Sequence, residues 1–196
     1  MSNREHYERR FEAELAAVRT ALLAYCRHLL WNGSQLEDAL QTTLLTAFRH
    51  FDEFQLGTSF RAWIFRIATY EIFNLNRRSE RERRTFVRWE EERMDVVQEL
   101  ERETSYDELL RDPETLMQAL GEELRGAILK LNSNERSVLL LRIVGGFSTA
   151  ETAHILGMPA GTVMGLLGRA RRKLRLDLGQ RARASGHLRV RGEEGL

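Results

Sequence analysis

Apolar residues along this chain recur at three- and four-residue steps, broken by short polar stretches, and no segment alternates convincingly. That period belongs to the helix, so the pattern predicts helices and no strand. The first runs from about Glu5 to Trp31 and stops at Asn32-Gly33, a pair suited to helix ends. Ser34 opens the second, because "SQLED" offers a capping box with Glu37 three residues on. Leu36, Leu40, Thr43, Leu44, Ala47, Phe48 and Phe51 then form one inward stripe. After the loop "DEFQLGTS", Ser59 caps a third helix that continues to about Arg78, with Phe60, Trp63, Ile64, Ile67 and Ala68 inward. Helices with one apolar stripe each make a bundle of about eighty residues.

The period fails from Ser79 to about Gly121, where "SERERRTFVRWEEERMDVVQELERETSYDELLRDPET" is rich in charge and poor in core residues. It reads as a linker with partial order, a solvated helix packed on the first domain being the alternative. Periodicity returns near Glu122 with "EELRGAILKL". Ser133 is placed to cap "NERSVLLLRIV", which ends at Gly145-Gly146, and Ser148 forms a capping box with Glu151 to open "TAETAHIL". Gly157 ends that short helix, and "GTVMGLLGRARRKLR" follows, with Val163, Leu167, Ala170 and Leu174 inward and a basic finish. A short helix, a glycine turn and a longer basic helix are a helix-turn-helix arrangement, with Ala153, Gly157 and Val163 fitting its internal logic. The tail after Leu178 has no apolar period and is expected to be disordered. The expected fold is all-α: two small helical domains, 1–85 and 122–178, an acidic linker over 86–121, and a tail over 179–196.

Charge sharpens this division. Thirty Lys and Arg against twenty-nine Asp and Glu give a formal net charge of +1, but the signs are segregated. From Trp89 to Leu124 thirteen acids face three arginines. From Arg61 to Arg88 eight arginines face three glutamates, and from Arg142 to Arg191 ten basic residues face Glu151 and Asp177. Two basic blocks around an acidic one point to two polyanion-binding modules.

Candidate chemistry narrows the field by exclusion. No paired carboxylates, phosphate-cradling glycine loop or metal cluster stands out, and the histidines at 6, 28, 50, 154 and 187 lack ligand spacing. No enzyme activity, cofactor or metal is therefore expected. The one cysteine, Cys26, lies in the apolar run "ALLAYCRHLL", which predicts a buried structural thiol in a reducing compartment. No apolar run approaches the ~18 residues of a membrane span, and "MSNREHYERR" is not a signal peptide, so a cytoplasmic protein with no membrane insertion is expected.

Two longer stretches carry a family resemblance. "LEDALQTTLLTAFRHFDEFQLGTSFRAWIFRIATYEIFNLNRR" resembles region 2, and "LNSNERSVLLLRIVGGFSTAETAHILGMPAGTVMGLLGRARRKLR" resembles region 4, of the extracytoplasmic-function (ECF) type of bacterial RNA polymerase sigma factor. The likeness covers roughly residues 11–85 and 122–176. It implies that region 2 binds the β′ clamp helices of core polymerase and opens the −10 promoter element, while region 4 binds the −35 element and the β flap. An anti-sigma factor joins the candidate partners. Asp38 and Gln41 match the family's "DxxQ" on the polymerase-facing helix, and Thr42 stands where the family usually has an acid. Trp63 matches the region 2 tryptophan, with core packing as its first reading.

The −10 reader corresponds to Thr69, Tyr70, Phe73 and Asn74, followed by Arg77, Arg78, Arg81, Arg83 and Arg84 along phosphates. An aromatic beside a basic helix end suits stacking on an unpaired base, and Tyr70 as simple packing is the competing reading. In region 4 the family presents Lys, Ser, Arg and His where this chain has Met164, Gly165, Leu166 and Gly168. Thr162 and the helix N-terminus remain as polar readers, and Arg169, Arg171 and Arg172 as phosphate contacts. Two readings fit that face: DNA recognised by shape or methyl contacts, or an apolar surface around Met164 and Leu166 for a protein. A sigma-like regulator that binds a protein partner without starting transcription is the alternative function.

Overall fold

Asn32 holds extended backbone (φ −107°, ψ 109°), and its side-chain oxygen accepts from the N–H of Ser34. That bond opens a 3-10 turn, Gly33–Gln35, instead of ending a helix. The computed structural model describes residues 3–54, 58–84 and 121–184. Within them α1 spans Asn3–Leu29, α2 Leu36–Arg49 and α3 Phe60–Arg84. The other helices are α4 Gly121–Leu129, α5 Ser133–Ile143, α6 Thr149–Leu156 and α7 Ala160–Ala184. No strand occurs among the described residues. The expected acidic linker, apart from Gly121, and residues 185–196 of the tail lie outside them.

Several local expectations change. The first helix ends at Leu29, not Trp31, and Ser34 does not cap α2, because its hydroxyl donates to Asn32 Oδ1 (2.9 Å). Ser59 does cap α3, accepting from the N–H of Ala62 at 3.2 Å. The cap of α5 is Asn132, one residue before Ser133: Asn132 Oδ1 accepts from Glu135 N (2.9 Å), and Glu135 Oε2 accepts from Asn132 N (3.2 Å). The box at Ser148 and Glu151 forms as the pattern requires. There the Ser148 hydroxyl and backbone N–H hold the Glu151 carboxyl below its usual range. Gly157 takes the left-handed conformation (φ 63°) that turns α6 into α7. α7 then runs past the expected end at Leu178 to Ala184.

Aromatic residues fill the first bundle. Phe51 meets Phe11, Phe54 and Phe60 at ring distances of 5.1, 5.9 and 5.8 Å. Trp63 packs on Phe54 and Phe60, so its core reading is the one the fold uses. Tyr25, Cys26, Ile64, Phe65 and Ile72 complete the centre of α1 and α3. In the second half Val163, Leu167 and Ala170 of α7 are buried and Leu174 is half-buried, the stripe expected of them.

The two halves also pack on each other: α1 lies against α4 and α5, and α3 against α6. Phe65 and Phe147 meet edge-to-face at 5.1 Å, with the Arg61 guanidinium 5.8 and 5.6 Å from the two rings. The buried Arg136 donates to the carbonyls of Ile128, Leu129 and Leu131 at 3.1, 2.7 and 2.9 Å, and to Leu29 of α1 at 3.4 Å. Its guanidinium lies 5.8 Å from the Trp31 ring, and burial pushes its pKa down to about 10. Asn76 of α3 also donates to the Leu29 carbonyl and accepts from Trp31 N, both at 3.2 Å. Side chains from both halves thus satisfy the end of α1, whose last carbonyls have no partner within the helix.

Candidate polymerase and promoter interfaces

On α2 the buried residues are Ala39, Thr43 and Ala47, which turns Asp38, Gln41 and Thr42 to solvent. They share one face at helical spacing, and Leu45, 55% exposed, continues it. Beside it lies an open apolar depression of about 400 Å³ lined by Phe11, Gln41, Leu44, Leu45 and Phe48. Leu45 was not singled out in the sequence, although its spacing from Asp38 and Thr42 carried the signal. An apolar hollow beside polar side chains can receive another helix: the hollow supplies burial and Asp38 and Gln41 supply direction.

The −10 candidates divide. Tyr70 is 67% exposed, Arg77 and Arg78 are exposed, and Phe73 and Asn74 are half-buried. Thr69 is the exception. It is 5% exposed, and its hydroxyl donates to the Phe65 carbonyl and meets the Tyr25 hydroxyl, both at 2.7 Å. That side chain belongs to the core and not to the DNA-facing surface expected of it. Tyr25 is buried with it, and desolvation raises its pKa. The side chains of Arg81, Arg83 and Arg84 lie outside what is described.

In the helix-turn-helix, α6 leads through Gly157 to α7, whose outer face carries Thr162, Met164, Gly165 and Gly168. Met164 is 59% exposed. Leu166 is buried, so it contributes neither to base reading nor to an apolar outer surface. A Cβ at Gly161 or Gly168 would meet nothing within 4 Å, and one at Gly165 only Arg169 Nη1 at 3.5 Å. Packing does not require these glycines, although Gly165 and Gly168, inside the helix, each cost roughly 0.5–1 kcal/mol against Ala.

The basic side of α7 is partly engaged inward. Glu135 of α5, 1% exposed, receives Lys173 Nζ at 3.0 Å and lies 3.9 Å from Arg169 Nε. Lys130 of the segment after α4 pairs with Asp177. Arg172 is exposed and Arg171 half-buried. Glu135 therefore holds two side chains of the basic run, one of them a candidate phosphate contact; the sequence reading missed it.

Residues 15–82 match the family model for Sigma-70 region 2, and residues 121–174 the model for Sigma-70, region 4. The ECF RNA polymerase sigma factor EcfG of Rhodopseudomonas palustris is 34% identical over 161 residues, 82% of this chain and 80% of that one. The chain belongs to the ECF sigma-factor family. SigW of Bacillus subtilis, an ECF sigma factor, is 30% identical over 158 residues, covering 78% of this chain and 80% of its own. Among solved structures, the sigma factor RpoE from Bartonella quintana, in complex with the anti-sigma factor NepR, superposes with a TM-score of 0.65 at 26% identity. That match covers 86% of this chain and 96% of the other. In this ECF sigma factor no group of three or more potential metal ligands stands together among the described residues, and no helix there is long and apolar enough to cross a membrane.

Proposed function

We infer that this ECF sigma factor binds core RNA polymerase and directs promoter recognition and transcription initiation. The observation that carries the reading is the presence of sigma region 2 and region 4 in one chain, in that order. Asp38, Gln41 and Thr42, with Leu45, dock on the β′ clamp helices. Tyr70, Phe73 and Asn74 engage the opened −10 strand, and Arg77 and Arg78 follow its phosphates. α7 lies on the −35 element, with Arg171 and Arg172 as phosphate contacts and region 4 as the flap-binding module. The catalysis is the polymerase's own, so the chain acts as an initiation factor in the cytoplasm and not as an enzyme. An anti-sigma factor is a fitting partner, given the RpoE–NepR complex. The mimic alternative leaned on weakened base reading in region 4, and a region 2 with an exposed docking face and an exposed Tyr70 favours initiation over it.

The test is reconstitution of holoenzyme followed by promoter mapping. Asp38→Ala with Gln41→Ala should weaken capture of core polymerase and leave thermal unfolding unchanged, because both side chains are exposed. Normal capture by the double variant would move the clamp contact elsewhere.

A further inference from the structure

Helix α7 is distinguished by what it omits. With Leu166 turned inward and glycine at 165 and 168, only Thr162 and Met164 project side chains into solvent between residues 162 and 168. Readout of guanine, adenine or cytosine edges in the major groove uses paired donors or acceptors on Arg, Lys, Asn, Gln or acidic side chains, and α7 offers none there. A methionine thioether has no N–H or O–H to donate and is at most a weak acceptor. What it can do is pack against apolar surface. In the major groove the thymine 5-methyl is the one such group that marks a base.

We propose that Met164 reads the upstream promoter element by contact with thymine methyls, and that the bare backbone at Gly165 and Gly168 lets α7 seat closely in the major groove. The proposal rests on the promoter-directing function inferred above. DNA, not a protein, is the occupant the charges favour. Directly after the Met164 face the same helix carries a run of five cations, Arg169, Arg171, Arg172, Lys173 and Arg175, which remains net positive although Glu135 of α5 holds Arg169 and Lys173. The glycines, for which packing leaves open space, acquire a role: without a Cβ there the groove can come closer to the backbone of the helix. The resulting upstream element is thymine-rich and tolerant of exchange at other positions. Discrimination between promoters then falls mainly to region 2.

The experiment uses holoenzyme assembled from core polymerase and the full chain, challenged with duplexes randomised across the upstream and downstream elements. Enriched duplexes should pair a loosely defined, thymine-rich upstream element with a sharper downstream one. Replacing upstream thymines by deoxyuridine removes the methyl alone, and should weaken binding about fourfold at one or two positions, the factor a buried methylene carries. Met164→Ala should weaken binding to the thymine duplex to a similar extent and abolish the deoxyuridine effect. An upstream element defined by guanine or cytosine overturns the proposal. So does a deoxyuridine effect that survives Met164→Ala, or a Met164→Ala chain that keeps normal DNA affinity but loses a protein partner. Initiation that ignores the upstream methyls refutes this proposal alone, whereas a holoenzyme that starts transcription at no duplex refutes the parent function with it.

Discussion

Glu135→Gln should make this protein less stable and a better binder of DNA. The carboxylate is buried, accepts from Asn132 N and Lys173 Nζ, and faces Arg169 Nε at 3.9 Å. Glutamine keeps an oxygen for the Asn132 N–H, so the cap of α5 survives while the charge is lost. At an effective dielectric near 20, a pair about 4 Å apart is worth up to ~4 kcal/mol before desolvation. The Lys173 side chain is nearly half exposed, which reduces that to a net loss of about 1–2 kcal/mol. Urea unfolding monitored by circular dichroism measures it. The substitution also frees Lys173 and Arg169 for phosphates, so DNA affinity at low salt should rise. Its log–log salt slope should steepen by about one unit for each additional phosphate neutralised. Glu135→Ala, which keeps the Asn132 cap but also leaves Asn132 N without its acceptor, should cost roughly 1 kcal/mol more. If Glu135→Gln leaves both the unfolding midpoint and the salt slope unchanged, the buried carboxylate does not hold these cations in solution.

Adjacent residues on α3 should behave oppositely. Thr69→Val breaks the hydrogen bonds to Tyr25 and Phe65 and should lower stability by about 1–3 kcal/mol, with single-stranded −10 DNA still bound by the folded fraction. Tyr70→Ala should leave the melting temperature alone and lose roughly 1–3 kcal/mol on that DNA, as read by fluorescence anisotropy. Acid should destabilise the fold through His28, whose pKa is pushed down to about 4 by burial and by the nearby Arg125 and Arg27 charges. The unfolded chain takes up its proton near pH 6.5 and the folded one only near 4, so stability falls as pH drops across that window. The loss is at most about 3 kcal/mol, less with solvent screening of this partly exposed ring, and should shrink in His28→Gln when unfolding is followed against pH.

Local rules were legible wherever one turn of chain decides the outcome. Ser148 with Glu151, Ser59, and Gly157 needed only their immediate neighbours. Asn132 competed with Ser133 for the same cap, and the deciding signal was present: Glu135 stands three residues after Asn132, as a capping box requires. Leu166 was also readable from period, being three residues from Val163 and four from Ala170, but family likeness drew it to the outer face. Thr69 lies four residues from the buried Phe65, and its polarity hid its place in that stripe. The pairing of Glu135 with Arg169 and Lys173, and the Arg136 bridge to Leu29, depend on how distant helices cross. No local pattern reports a crossing.

The burial of Cys26 makes the chain its own reporter. The thiol is fully enclosed between α1 and the rest of the bundle, and burial pushes its pKa to about 12, so at neutral pH the folded protein presents almost no thiolate. Since it is the chain's one cysteine, a thiol-specific reagent can mark the molecule at one place. It can do so only when region 2 opens far enough to admit it. Labelling rate at low reagent becomes a gauge of how much of the protein is open at any moment, readable on unmodified protein, free or held by polymerase, with no engineered probe.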